Sequence, residues 1–189
     1  TDIRSQKVLF VYNNQLYLGR SNAGKAEIWS SPDGATWTLL DVTGLGINNS
    51  DVSAFAEFNG SLYVGFRNEV DGGEVWISSD GLSFNQVVSG GLGDVTNIRP
   101  YGLVDFAGEL YLSFSNEVNG AELWKTKDGV NWQQVMRHGR GDWNNTHATY
   151  FDKSNAVFKG SLYFASINNA NGAEVWRMQH MFSLPIVSR

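Results

Sequence analysis

Glu74 to Phe84 reads EVWISSDGLSF, and this stretch decides the fold. Glu74, Val75, Trp76 and Ile77 mix bulky apolar and β-branched residues with other types, which suits a half-buried strand. Asp80-Gly81 follows, then a second short apolar run from Phe84 to Val88. Asp-Gly between two such runs marks a hairpin, because Gly accepts the positive φ of a tight turn and the Asp carboxylate can accept bonds from backbone N–H groups inside it. The aromatic three residues after Gly seals the turn's apolar side. The stretch recurs as EIWSSPDGATW from Glu27 to Trp37 and as ELWKTKDGVNW from Glu122 to Trp132. A fourth copy starts at Glu174 as EVWRMQ and loses the Asp-Gly.

Working outward, Leu-Tyr pairs stand at Leu16-Tyr17, Leu62-Tyr63, Leu110-Tyr111 and Leu162-Tyr163. An Asn follows each Leu by six residues (Asn22, Asn68, Asn116, Asn168), and then comes the Glu of the repeated unit (Glu27, Glu74, Glu122, Glu174). One repeat holds four strand candidates, which in the second copy are Ser53–Phe58, Leu62–Arg67, Gly73–Ser78 and Ser83–Val88. Asn59-Gly60 turns the first into the second, with Asn13-Asn14, Ala107-Gly108 and Lys159-Gly160 as counterparts. The connection to the next repeat carries Gly91-Leu92-Gly93-Asp94 and Asn97, matched by Gly44-Leu45-Gly46 with Asn48 and by Gly139-Arg140-Gly141-Asp142 with Asn144. No helix of useful length is expected.

Four-stranded units repeating at this period are the pattern of β-propeller blades. The fold class expected is all-β, a propeller of four four-stranded blades at approximately 7–50, 51–98, 99–152 and 153–189, as one domain over 1–189. Both faces of a blade pack on neighbours, with Trp29, Trp76, Trp124 and Trp176 as filler. The last outer strand is read as Phe182 to Val187, with Pro185 tolerated at an edge.

Composition bounds the function. The 189 residues are 42% hydrophobic and 17% charged, which excludes a disordered chain. A net charge of −5 argues against a nucleic-acid partner. No apolar run is long enough for a membrane span. With no Cys, thiolate metal sites, disulfides and Cys nucleophiles are excluded. No cofactor or metal is expected, and no signal peptide is readable from Thr1 onward.

The hairpins resemble those of the Asp-box propellers, a group that includes sialidases and sortilin-type receptors. The boxes are Ser31-Pro32-Asp33-Gly34 to Trp37, Ser78-Ser79-Asp80-Gly81 to Phe84, and Thr126-Lys127-Asp128-Gly129 to Trp132. They depart from the family pattern by one residue, since Asp and Gly are adjacent. The resemblance covers nearly the whole chain. It implies a structural turn remote from any binding face. The repeat is also similar to those of exported bacterial proteins, which implies an extracellular or cell-surface location. The blade number is similar to that of hemopexin-type propellers. Three arrangements are open: a closed ring of four blades, half of an eight-bladed ring formed as a homodimer, or part of a longer propeller. Two exposed blade faces would make a large apolar patch, which favours the closed ring.

The Asn/Glu series invites two readings, a symmetric ring that binds polyols or a set of buried, mutually satisfied structural pairs. The structural reading is preferred, because a buried Glu must be hydrogen-bonded. The irregular connection from Met136 to Asn155 holds His138, Arg140, Asp142, Trp143, His147 and Tyr150, a candidate platform for a carbohydrate or protein ligand. Its alternative is a plug for the end of the ring. Arg140-Gly141-Asp142 spells an adhesion tripeptide, but the repeat already explains its Gly and Asp. Enzyme readings are thin. A glycosidase needs two carboxylates at a set separation, which sequence cannot place. The expected function is a non-catalytic binding module. The alternatives are an assembly domain associating through blade edges and a sialidase-like glycosidase remnant.

Overall fold

The computed structural model describes residues 7–40, 44–148 and 155–179. Strands β1 (Lys7–Tyr12), β2 (Gln15–Asn22), β3 (Lys25–Ser31) and β4 (Thr38–Leu39) form the first sheet. The second holds β5 (Asp51–Phe58), β6 (Ser61–Arg67), β7 (Glu74–Ser78) and β8 (Asn85–Val88). The third holds β9 (Arg99–Phe106), β10 (Glu109–Ser115), β11 (Glu122–Thr126) and β12 (Gln133–Met136). In all three the spatial order follows the chain, and every pairing is antiparallel.

The fourth sheet holds β13 (Asn145–Ala148), β14 (Asn155–Phe158), β15 (Ser161–Asn168) and β16 (Gly172–Gln179). Both β13 and β14 pair with β15, at successive stretches of it, so together they take the inner-strand position. The fourth blade therefore begins near Asn145, ahead of the approximate boundary at 152. The pairing partner decides this, since Asn145 lies opposite Asn168. The expected outer strand at Phe182–Val187 lies outside the described residues.

The all-β propeller architecture is thus four blades, packed through three interfaces among the described residues. Val8, Tyr12, Tyr17 and Ile28 meet Val52, Phe55 and Phe66 between the first two. Ala54, Tyr63 and Val75 meet Leu103, Leu112 and Phe114 between the second and third. Phe106, Tyr111 and Leu123 meet Leu162 and Phe164 between the third and fourth. The inner strands line a cavity of about 470 Å³, with Phe10, Phe55, Leu103 and Asn155 among its walls.

The repeated hairpin is built as its residues require. Asp80 Oδ1 accepts from the N–H groups of Leu82 at 2.8 Å and Ser83 at 2.7 Å, and from the Ser78 hydroxyl at 2.9 Å. The Ser78 oxygen accepts from Gly81 N–H at 2.8 Å, with Gly81 at φ +75°. Asp33 and Asp128 repeat the arrangement. These donors hold the Asp80 carboxyl down to about 2, with the Ser83 N–H contributing most; Asp33 is lowered in the same way, and Asp128 first by the Asn131 side-chain amide and then by backbone N–H groups.

A pH dependence follows. A carboxyl whose folded pKa lies below its unfolded value binds fewer protons folded than unfolded, so it adds stability above about pH 4 that is lost on acidification. Thermal unfolding followed from pH 5 down to pH 2 should show a falling melting temperature. Asp80→Ala should lower the melting temperature at pH 7 and flatten that acid limb.

Candidate functional site

The connections between blades are held by an Asn that the repeat conserves. Asn49, Asn97 and Asn145 stand 48 residues apart. The Asn97 side-chain N–H₂ donates to Glu122 Oε2 at 2.7 Å and to Gly91 O at 2.9 Å. Asn49 donates to Glu74 at 2.9 Å, and Asn145 to Glu174 at 3.1 Å. The sequence pattern had pointed to Asn48 and Asn144 as the equivalents of Asn97. The structure moves both by one residue, because Asn48 instead donates to Asp71 and Asn144 to Asp142, each in an exposed turn.

Two residues after each Asn, the repeat stops repeating. The positions hold Asp51 and Arg99, the opening residues of β5 and β9, and His147, the third residue of β13. All three inner strands begin at the same end of the axis, so the side chains converge. Arg99 Nη2 donates to Asp51 Oδ2 at 2.5 Å, and Nη1 donates to the Tyr101 hydroxyl at 2.8 Å. The guanidinium lies 5.0 Å from the Tyr101 ring centre. The Tyr101 and His147 rings are 5.6 Å apart. His147 Nε2 stands 3.8 Å from Glu117 Oε1, and Thr146 Oγ1 is 2.8 Å from His147 Nδ1. Asp51 is 4% and Arg99 8% exposed, so this is a buried charge cluster. Asp51 Oδ1, Arg99 Nε and Arg67 Nε find no hydrogen-bond partner among the described residues.

Burial pushes the Asp51 carboxyl up, against the pull of Arg99 and Arg67. Burial also pushes the His147 imidazole down, and the Glu117 charge opposes it. His147 therefore tends to neutrality at this end of the axis, where it can accept as well as donate.

The residues that sequence singled out divide among several places. His138 and Trp143 come together, with ring centres 6.0 Å apart, and Trp143 is 63% exposed. His138 Nδ1 also lies 3.2 Å from Asn119 O. Arg140, at φ +63°, turns away and lays its guanidinium 4.5 Å from the Trp176 ring. There it lines a groove of about 350 Å³ with Leu123, Phe164 and Met178. Asp142 accepts from Asn168 at 2.8 Å and from Asn144 N–H at 3.0 Å, the same duty that Asp94 performs for Asn116 one blade earlier. Arg140-Gly141-Asp142 is thus engaged internally at both charged ends. Tyr150 lies outside the described residues.

The Asn/Glu series carries hydrogen bonds inside the blades. Asn22 donates to Glu27 at 2.6 Å, Asn68 to Glu74 and Asn168 to Glu174 at 3.4 Å each. Asn116 donates to Asn97 at 2.9 Å instead. Trp29, Trp76 and Trp124 donate to the same carboxylates, whereas Trp176 donates to Ser166. Sequence reasoning passed over Asp51 and Tyr101, and set Arg99 aside because Ile98-Arg99-Pro100 resembles a sialidase motif only in the wrong order. The signal that finds them is divergence at a position whose neighbours repeat. Among the described residues, no group of three or more His, Asp or Glu could hold a metal ion, and no helix is long and apolar enough to cross a membrane.

Arg99→Met should destabilise the fold by about 3–5 kcal/mol, because it strands a buried carboxylate. Asp51→Leu combined with Arg99→Met should recover most of that loss in urea unfolding, as an apolar replacement of the whole pair does.

No family model and no curated protein matches the sequence. Solved structures do match in shape. An α-L-arabinofuranosidase from Clostridium thermocellum aligns over 92% of this chain and 67% of its own, at 17% identity and a TM-score of 0.52. An endo-arabinase from Bacteroides thetaiotaomicron aligns over 92% of this chain and 74% of its own, at 14% identity and 0.55. A Trypanosoma rangeli sialidase aligns over 85% of this chain and 28% of its own, at 18% identity and 0.57. The chain spans only part of the length of each, and at these identities the likeness is one of fold: this chain is built as a β-propeller, as they are.

Proposed function

We propose that the chain is a non-catalytic, carbohydrate-binding propeller module of the Asp-box type. Its ligand meets the end of the axis where the inner strands begin. The observation that carries this reading is the cluster of Asp51, Arg99, Tyr101 and His147. Three repeat-equivalent positions there hold three different polar residues, two of them buried and ion-paired, each two residues beyond an Asn that repeats. Buried donors and acceptors on an open-ended scaffold suit a ligand dense in hydroxyl groups. The exposed Trp143, backed by His138, adds an aromatic face on the connection next to it. Two of the shape relatives carry carbohydrate activities in their names, and the sialidase was solved with sialic acid. By the likeness of the repeat to those of exported bacterial proteins, we also propose a location outside the cytoplasm.

A glycan array spanning arabino-oligosaccharides, xylo-oligosaccharides and sialosides tests the reading. At least one class should bind, and Trp143→Ala and His147→Ala should each weaken it roughly tenfold, about 1.4 kcal/mol. Silence across the array, or binding that both substitutions leave intact, sinks the proposal.

One observation favours a second reading, a glycosidase remnant. Burial raises the Asp51 carboxyl, the direction that acid catalysis needs. The Arg99 ion pair occupies one of its oxygens. Release of p-nitrophenol from aryl arabinofuranosides or sialosides, abolished by Asp51→Asn, would support this second reading over the first.

A further inference from the structure

Each of the first two blade interfaces has two parts. One is the apolar cluster already described. The other is a tyrosine from the second strand of one blade, seated on the Asp-Gly turn of the next. The Tyr17 hydroxyl abuts Gly81 and the Tyr63 hydroxyl abuts Gly129, each so closely that a Cβ on the glycine would clash. Around these seats, the Tyr12 hydroxyl donates to Ser79 O at 3.0 Å, and the Asn59 amide donates to Lys127 O at 3.4 Å. The polarity is constant, with the tyrosine on the earlier blade and the turn on the later one.

The two ends of the arc carry the unmatched halves of this device. In the first blade, register places Leu9, Val11, Leu16, Leu18 and Trp29 on one face, opposite the face that meets the second blade. Leu9 is 63% and Val11 60% exposed. Among the described residues the Asp33-Gly34 turn of this blade meets no tyrosine: a Cβ on Gly34 would touch only Leu16. In the last blade, register places Phe158, Tyr163, Ala165, Ile167 and Val175 on the outward face. Phe158 is 58% and Val175 74% exposed. Tyr163, the counterpart of Tyr17 and Tyr63, rests on Phe158 at 6.4 Å between ring centres. So the first blade has a turn without its tyrosine, and the last has a tyrosine without its turn.

We propose that a second copy of this chain covers both faces. The last blade of each copy packs on the first blade of the other, with Tyr163 seated at the partner's Asp33-Gly34 turn. The contact continues the interface the chain already forms inside itself, with the same polarity and the same apolar chemistry. Two such contacts related by a two-fold axis close a ring of eight blades and leave neither face in water. This proposal stands independently of the ligand reading.

Light scattering on the chain across a wide concentration range is the test. The mass should be twice that of one chain. Leu9→Glu and Val175→Glu each place a charge in the contact, and each should return the mass to that of one chain with an unchanged circular dichroism spectrum. Both positions are largely exposed in the single chain, so the fold should tolerate them. Val11→Glu repeats the test on the first face should Leu9→Glu fail to fold. A single-chain mass for the unsubstituted protein at every concentration overturns the proposal. So does a double mass that the substitutions keep, and assemblies larger than two copies overturn the closed ring.

Discussion

A buried carboxylate that has to be satisfied sets the geometry of this molecule. Glu122 is 5% exposed, and its charge is tolerable only because Asn97 and Trp124 donate to it at 2.7 and 3.0 Å. Asn97 belongs to the connection that arrives from the previous blade. Its backbone carbonyl accepts from Gly73 N–H at 2.8 Å, and its side-chain oxygen accepts from Asn116 at 2.9 Å. One residue therefore ties the second blade to the third through both backbone and side chain. Asn49 and Asn145 repeat the tie at the neighbouring junctions, with Ala26 N–H and Ala121 N–H in the place of Gly73. Each blade is thereby held in position relative to the next, and the residue two places on is delivered to the axis.

Where the repeat fails, the packing reports it. The fourth blade has no Asp-Gly in its sequence, so Tyr111 lacks the seat that Tyr17 and Tyr63 occupy. Its hydroxyl donates instead to Glu109 at 3.1 Å, and burial together with that carboxylate pushes the phenol up to about 12. Lys125 completes the Glu109 pairing at 3.0 Å, beside a groove of about 340 Å³ that reaches Met178 and Gln179. The same junction exchanges an apolar residue for a charged one. Leu92 packs with Trp124 on the second cluster, while its repeat equivalent Arg140 covers Trp176 through its guanidinium. Both residues hold a left-handed backbone, at φ +60° and +63°, so the connection keeps its shape while its chemistry changes.

The fold was legible because its determinants are local and repeated. Asp-Gly turns, Leu-Tyr pairs and the Glu-x-Trp strand each sit within a few residues of their partners, and four copies expose the period. Strand ends moved by a residue or two, as with Asp51–Phe58 against an expected start at Ser53. The candidate site was only partly legible. His147 was found because it lies on an irregular connection. The Asp51–Arg99 partnership escaped because it spans 48 residues and two blades. The Asn-Asn pairs at 48–49 and 144–145 also concealed which member is buried, and only packing separates them. The period locates equivalent positions, but it does not say which of them converge on the axis.

The Asp51–Arg99 pair is poorly explained as a stabilising device. A buried ion pair recovers its desolvation cost incompletely, and well-packed apolar residues in its place are commonly as good or better. The repeat shows that such replacements are at hand, since Val52, Leu103 and Leu112 fill neighbouring positions in the same blades. Among the described residues the pair also leaves Asp51 Oδ1 and Arg99 Nε without partners. Arg99 is at the same time held over Tyr101, which in turn faces His147, so the cluster is ordered in spite of its cost. Polar groups that are buried, ordered and incompletely satisfied are what a binding site looks like before its ligand arrives. Within this chain the blades are built from what the repeats share, and the case for a site rests on the inner-strand position where Asp51, Arg99 and His147 replace one another.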